Sequence, residues 1–265
     1  MTSRLAVLGS PIAHSRSPLL HAAAAGVLGL DWRYDRVEAT EETLPGLLAG
    51  LGDEWVGLSL TMPLKRSVLP LVAAHDPLVD RLGLANTLRL GAEPHLANTD
   101  VGGVEAVLRS EAGAARAVVL GGGATAASAL EALGRLGVGE RIVAARRPEV
   151  AAQDLAGLAD AVVPLAEADL AGADLVVSTL PGHADVDVAL PAAVRGTPLL
   201  DVAYSPWPTA IGARWLAAGG RLLHGLDMLI EQAVLQVRVF TDADPDAPLP
   251  REDEVRAAMR AAVGR

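Results

Sequence analysis

Several short polar motifs interrupt an otherwise apolar pattern in residues 1–100, and each carries side chains able to do chemistry. In GSPIAHSRSPLLH (9–21), Ser15 and Ser17 flank an arginine directly before Pro18. Proline suits the first turn of a helix, so the serines stand at its N-terminal end, where hydroxyls and free N–H groups favour a carboxylate. Either serine alone is equally an ordinary N-cap, and His14 and His21 read as packing or local hydrogen-bonding residues. GLSLTMPLK (57–65) runs a strand into Thr61, Pro63 and Lys65. An ammonium at that point has the chemistry of a proton donor, although an isolated lysine one turn into a helix is ordinarily a solvated surface charge. LANT (84–87) and ANTD (97–100) supply Asn86 and Asp100, residue types that also make turns.

A different chemistry starts after the run ARAVVL (115–120). Gly121, Gly123 and Ala126 satisfy G-x-G-x-x-G/A between a predicted strand and a predicted helix. The first glycine permits a tight turn, the second lets backbone approach a pyrophosphate, and the small third residue allows close helix packing. Backbone N–H groups at the helix start, within Gly121, Gly122, Gly123, Ala124 and Thr125, then receive the anion. At the end of the next strand, where an acid would accept ribose hydroxyls, the chain reads IVAARRPEV. Arg146 and Arg147 have no acid immediately before them, and a guanidinium pairs bidentately with a 2′-phosphate. The dinucleotide expected is NADP.

The scaffold that must position these groups reads as α/β. Strands are expected at 4–9, 32–38, 55–60, 86–90, 115–120, 141–145, 161–165, 174–179 and 198–204, with helical stretches near 17–28, 41–51 and 64–76. Such alternation argues for a largely parallel sheet. The expected division is an N-terminal α/β substrate-binding domain (1–100, completed by 231–265) and a C-terminal Rossmann dinucleotide-binding domain (101–230), the last helix returning to the first domain. The acidic stretch DADPDAPLPRED reads as a loop within the final helical region.

Composition narrows the function classes. The chain of 265 residues is 51% hydrophobic but only 3% aromatic, so its core must be built from small aliphatic side chains. No apolar run approaches the roughly 20 residues of a membrane span, and the N-terminus lacks a signal-peptide pattern, so a cytoplasmic location is expected. Zero cysteines and six scattered histidines argue against disulfides and a metal site. A net charge of −10 without a Lys/Arg cluster argues against nucleic acid. The expected partners are small molecules, and the expected assembly is a monomer or homodimer.

Taken together, the motifs resemble the signature set of the shikimate dehydrogenase family in order, spacing and residue type, over nearly the whole chain. The resemblance implies an NADP-dependent oxidoreductase that reduces 3-dehydroshikimate to shikimate. In that family S-x-S binds the substrate carboxylate, which maps onto Ser15 and Ser17, and SLTMPLK is similar to N-V-T-x-P-x-K, placing Thr61 near the substrate and Lys65 as catalytic. GLANT gives Asn86, and NTDVGG gives Asp100 as the partner of Lys65. AARRP, with Ala145, Arg146 and Arg147, stands where N-R-T contacts the 2′-phosphate. DVAYSPWPT gives Tyr204 as a substrate ligand and Val202 beside the nicotinamide; GLDMLIEQA puts Gly225 at the cofactor and Gln232 at the substrate. Lys65 is then the acid in reduction and the base in oxidation, with Asp100, Asn86, Thr61 and Gln232 on the ring hydroxyls.

The departures from the pattern are Ser59 for the usual Asn, Leu84 within Gly-Ala, Ala145 for the Asn of N-R-T, and Ser178-Thr179-Leu180 for N-A-T. Two relatives share most of these residues: an NAD-dependent quinate/shikimate dehydrogenase, which the paired arginines oppose, and an aminoshikimate dehydrogenase. A non-catalytic NADP-binding regulator is opposed by the presence of both Lys65 and Asp100.

Overall fold

The computed structural model describes residues 2–184, 188–191, 194, 196–244 and 247–265. The chain divides into two compact units, Met1–Thr99 with Leu229–Arg265, and Asp100–Met228.

The first unit contains β1 (Ser3–Gly9), α1 (Ser17–Leu28), β2 (Trp32–Glu38), α2 (Leu44–Ala49), β3 (Trp55–Leu60), α3 (Leu64–Ser67), β4 (Ala74–His75), α4 (Pro77–Leu82), β5 (Thr87–Arg89) and β6 (His95–Ala97). Its sheet runs in the order β2-β1-β3-β5-β6-β4. Leu5, Ala6 and Leu8 of β1 are fully buried, as suits a central strand covered on both faces. β1 pairs in parallel with β2 and β3, but β5 runs antiparallel to both β3 and β6. The largely parallel sheet expected from the β/α alternation therefore gives way to a hairpin at one side, because only a short connection joins β5 to β6. The single helix expected over 64–76 is also corrected. It stops at Ser67, passes through a 3-10 turn at Leu69–Leu71, and ends in β4, since Pro70 lacks the amide a continuing helix needs.

The second unit contains α5 (Asp100–Leu108), β7 (Arg116–Leu120), α6 (Ala124–Arg135), β8 (Glu140–Ala145), α7 (Pro148–Asp154), β9 (Ala161–Pro164), β10 (Leu175–Ser178), β11 (Pro198–Asp201), α8 (Ala210–Ala217) and β12 (Arg221–His224). Its sheet order, β9-β8-β7-β10-β11-β12, is that of a Rossmann fold, and every pairing is parallel. Val118, Leu120, Val176, Leu199 and Trp215 form its buried centre, with the Trp215 indole donating to the Thr197 carbonyl at 3.0 Å.

α9 (Gly225–Phe240) starts in the second unit and finishes in the first. Together with α10 (Glu252–Ala262) it packs Ile230, Val234, Val237, Val255 and Met259 against Leu20 and Ala24 of α1. Phe240 lies over Gly57, where a Cβ would strike its ring and come within 2.9 Å of the Leu88 carbonyl oxygen. The expected loop separates α9 from α10, with Pro245 and Asp246 lying outside the described residues. No helix among the described residues is long and apolar enough to cross a membrane.

Candidate active site

At the start of α1, Ser15 and Ser17 are buried. The Ser15 hydroxyl donates to Ser17 Oγ at 3.3 Å and accepts the Ser17 N–H at 3.3 Å. Pro18 has no amide, and the Leu19 N–H goes to the Arg16 carbonyl at 3.0 Å. The free helix amides expected here are thus already engaged, which leaves the two hydroxyls as the groups on offer. Arg36 pins the loop by donating to the Ser15 carbonyl at 2.8 Å. His14 is exposed, so packing does not account for it; His21 is fully buried.

β3 delivers Thr61 and Lys65, both half-buried. A Cβ on Gly9 would strike the Thr61 methyl and lie 2.8 Å from the Met62 carbonyl oxygen, so glycine is what lets this turn cross the end of β1. The Lys65 carbonyl accepts the Ala85 N–H at 2.9 Å, tying α3 to the segment that carries Asn86. Asn86 Oδ1 accepts the Thr99 N–H at 2.8 Å and the Thr87 hydroxyl at 2.9 Å. Its Nδ2 donates to Thr99 Oγ1 at 2.9 Å and to Gln232 Oε1 at 3.3 Å. Two of the expected residues, Asn86 and Gln232, are therefore brought together, with Thr99 as a third member that sequence reasoning passed over. Asp100 is buried at the first position of α5, where the helix dipole favours an acid, and belongs to the second unit.

Behind these groups lies a buried polar layer that the sequence reading also missed. Tyr34 donates to Ser59 Oγ at 2.6 Å, Ser59 donates to Gln236 Oε1 at 2.8 Å, and His21 Nε2 lies 3.2 Å from the same oxygen. His21 stacks on Tyr34 with centroids 4.2 Å apart. Burial lowers the His21 pKa to about 4 against the opposing pull of Gln236, and burial also raises the Tyr34 phenol against its hydrogen bond to Ser59. The available signal was spacing: Gln236 follows Gln232 by one helical turn, putting two amides on one face of α9.

In the second unit, a cavity of about 560 Å³ opens beyond the ends of β7, β8 and β10. Gly121, Gly122, Gly123, Ala145, Arg146 and Arg147 line it, with Val150, Leu180 and His183 among the other walls. Gly121 has φ +107°, and a Cβ there would strike the Thr179 hydroxyl. A Cβ on Gly122 would sit 2.6 Å from that of Ala151 and 3.2 Å from that of Ala145, so the loop lies against two small residues. At Gly123 a Cβ would meet nothing. Gly123 is the N-cap of α6 and offers no side chain, leaving the helix start open at Ala124 and Thr125. Arg146 and Arg147 are exposed, and their guanidiniums have no partner among the described residues. An open helix start, a glycine turn and two unpaired guanidiniums beside one cavity fit a phosphorylated dinucleotide.

The loop after β11 carries Val202 and Tyr204, both half-buried. Its base is held by Asp201, which is fully buried and accepts the Thr209 hydroxyl and, at 3.3 Å, the Ala203 N–H; burial raises its pKa against these bonds. Gly225 lies against the Val202 carbonyl so closely that a Cβ would come within 2.7 Å of the Asp201 carbonyl oxygen.

Comparison with known proteins identifies the family. Residues 7–88 match the shikimate dehydrogenase substrate binding domain, and residues 225–263 the shikimate 5′-dehydrogenase C-terminal domain. The NADP(+) shikimate dehydrogenase of Anaeromyxobacter sp. (strain Fw109-5) is 38% identical over 100% of this chain and 98% of its own. The crystal structure of Mycobacterium tuberculosis shikimate dehydrogenase is 40% identical, covers 99% of this chain and 98% of its own, and superposes with a TM-score of 0.80. Shikimate 5-dehydrogenase from Thermus thermophilus, solved in complex with NADP(H) and shikimate, is 31% identical over 98% of this chain and 99% of its own, with a TM-score of 0.82. The chain belongs to the shikimate dehydrogenase family.

Proposed function

We propose that this chain catalyses the NADP-dependent, reversible reduction of 3-dehydroshikimate to shikimate in aromatic amino-acid biosynthesis. The observation that carries the reading is the presence, in one family member, of a buried amide and hydroxyl cluster at Asn86, Thr99 and Gln232 and of a glycine-turned cavity flanked by Arg146 and Arg147, whose guanidiniums have no partner among the described residues.

Ketone reduction needs a hydride at the carbonyl carbon and a proton at its oxygen. NADPH, when bound, supplies the hydride. The Lys65 ammonium gives the proton to the ketone oxygen and takes it back in the oxidation, while the Asp100 carboxylate orients that ammonium and balances its charge. Ser15 and Ser17 hold the substrate carboxylate; Thr61, Asn86 and Gln232 hold ring hydroxyls, and Tyr204 is a further substrate ligand. Gly121, Gly122 and Gly123 with Ala124 and Thr125 hold the pyrophosphate, Ala145, Arg146 and Arg147 the 2′-phosphate end, and Val202 and Gly225 the nicotinamide end. The reading places the enzyme in the cytoplasm as a monomer or homodimer.

Initial rates with shikimate and with quinate, each with NADP and NAD, test the assignment. The expected result is the highest kcat/KM for shikimate with NADP. An exclusive preference for quinate with NAD overturns it.

A further inference from the structure

β1, β2 and β3 run parallel, so their carboxyl ends reach one edge of the first unit's sheet, the edge at which open α/β sheets meet their ligands. Gly9 at the end of β1 leads into the serine loop, and β3 leads into Thr61 and Lys65. β2 reaches the same edge with Arg36 and Glu38, which share one face of the strand because side chains alternate along it. Both hold the serine loop: Glu38 Oε2 accepts the Ile12 N–H at 3.1 Å, and Arg36 Nε donates to the Ser15 carbonyl at 2.8 Å. The charge on Arg36 is not matched in this way. On the opposite face of β2, Arg33 pairs with Asp35 at 2.9 Å, and Arg4 of β1 lies 3.7 Å from Asp35 and 3.9 Å from Glu54. Arg36 makes no ion pair among the described residues. The other basic side chains of the loop, His14 and Arg16, are exposed, and no hydrogen bond among the described residues fixes them.

We propose that Arg36 supplies the positive charge of the carboxylate site at Ser15 and Ser17. This rests on the function proposed above, in which the two serines meet the substrate carboxylate. Both serines are buried and neutral, and an anion taken from water onto hydroxyls alone loses more solvation than they return. A cation beside them offsets that loss. The anchor suits Arg36 to the task. The bond from Nε fixes the guanidinium on the residue that carries one of the two hydroxyls, and the Nη groups keep their donors for an anion. A neutral substrate gains nothing from this charge, so Arg36 selects for acids. It acts on binding alone, because the carboxylate keeps its charge from ground state to transition state.

Arg36→Gln removes the charge and keeps a side-chain donor, so the test uses this variant of the full chain. Shikimate and its neutral carboxamide analogue are compared as substrates with NADP. The KM for shikimate should rise roughly 10-fold or more, the scale of a hydrogen bond to a charged group. Turnover number, the KM for NADP and the KM for the carboxamide should change by less than about twofold. Arg36→Lys keeps the charge and serves as well if the glutamine variant does not fold: its shikimate KM should stay within about 3-fold of the parent, with no rise for the carboxamide. An unchanged shikimate KM in Arg36→Gln overturns the proposal. Equal rises for acid and amide in either variant also overturn it, since Arg36 would then only brace the loop. An acid-selective rise in Arg16→Gln with none in Arg36→Gln gives the charge to Arg16 and overturns it too. A parent enzyme that does not turn over shikimate at all would instead defeat the function on which the proposal rests, and that outcome is read before any variant is made.

Discussion

Around Asn86 the amide and hydroxyl groups already bond to one another, whereas the guanidiniums of Arg146 and Arg147 at the end of β8 have no partner among the described residues. The two helix starts differ in the same way. At α1 the serine hydroxyls and loop carbonyls take up the N–H groups, while at α6 glycine leaves them open. A site of the first kind exchanges protein bonds for ligand bonds, so its net gain is modest and a mismatched ligand leaves buried groups unpaired. A site of the second kind gains charge-assisted bonds that did not exist before. The substrate half is thus built to discriminate, and the cofactor half to attract phosphate.

That contrast is broken most severely at Lys65. Lys65→Ala should lower turnover by roughly 10²-fold or more while the KM for NADP stays put, since the proton moves only in the transition state. Near-normal steady-state turnover in the folded variant would remove Lys65 from the chemistry. Asp100→Asn should behave alike, and the double variant should be far less than additive.

A second prediction concerns acid, and it separates the halves by stability. The His21 pKa lies near 4 in the folded chain against 6.5 for the free side chain. Above pH 6.5 neither state holds the proton and the stabilisation is complete; as pH falls from 6.5 towards 4 the unfolded chain takes up the proton first, so stability declines. Below about 4 both states are protonated and the loss, roughly 3 kcal/mol, is complete. Denaturant unfolding followed at several pH values should show this slope in the parent chain and lose it in His21→Phe. An identical slope in both would place the acid sensitivity elsewhere.

The smallest effect is expected where the ligand alone is the partner. Arg146→Ala should raise the KM for NADP roughly 10-fold, the scale of a lost charge-assisted bond. The KM for NAD should hardly move. Equal losses with both cofactors would make Arg146 structural and erase the distinction between the halves.

What was legible in the sequence follows the same division. The glycine loop could be read because backbone geometry demands it: Gly121 needs its positive φ and Gly122 needs the space against Ala145 and Ala151. The strands of the Rossmann sheet stood out as continuous apolar runs, since helices cover both of its faces. β4 and β6 were missed because two or three residues are too few for any periodicity to register. Ser59 is the clearest case of information that was not local. It stands for the usual Asn, yet its hydrogen bonds come from Tyr34 and Gln236, which only the fold brings to it. Thr99 lay inside a recognised motif and was overlooked because its neighbours carry the more reactive side chains.

The return of α9 and α10 to the first unit has a consequence for biosynthesis. Leu20 and Ala24 leave the ribosome well before the residues that cover them, Ile230, Val234, Val255 and Met259. Asp100–Met228 is complete before that and has its own buried centre. The nascent chain therefore holds an uncovered apolar face until α9 and α10 emerge, and the first unit, begun before the second, is completed after it.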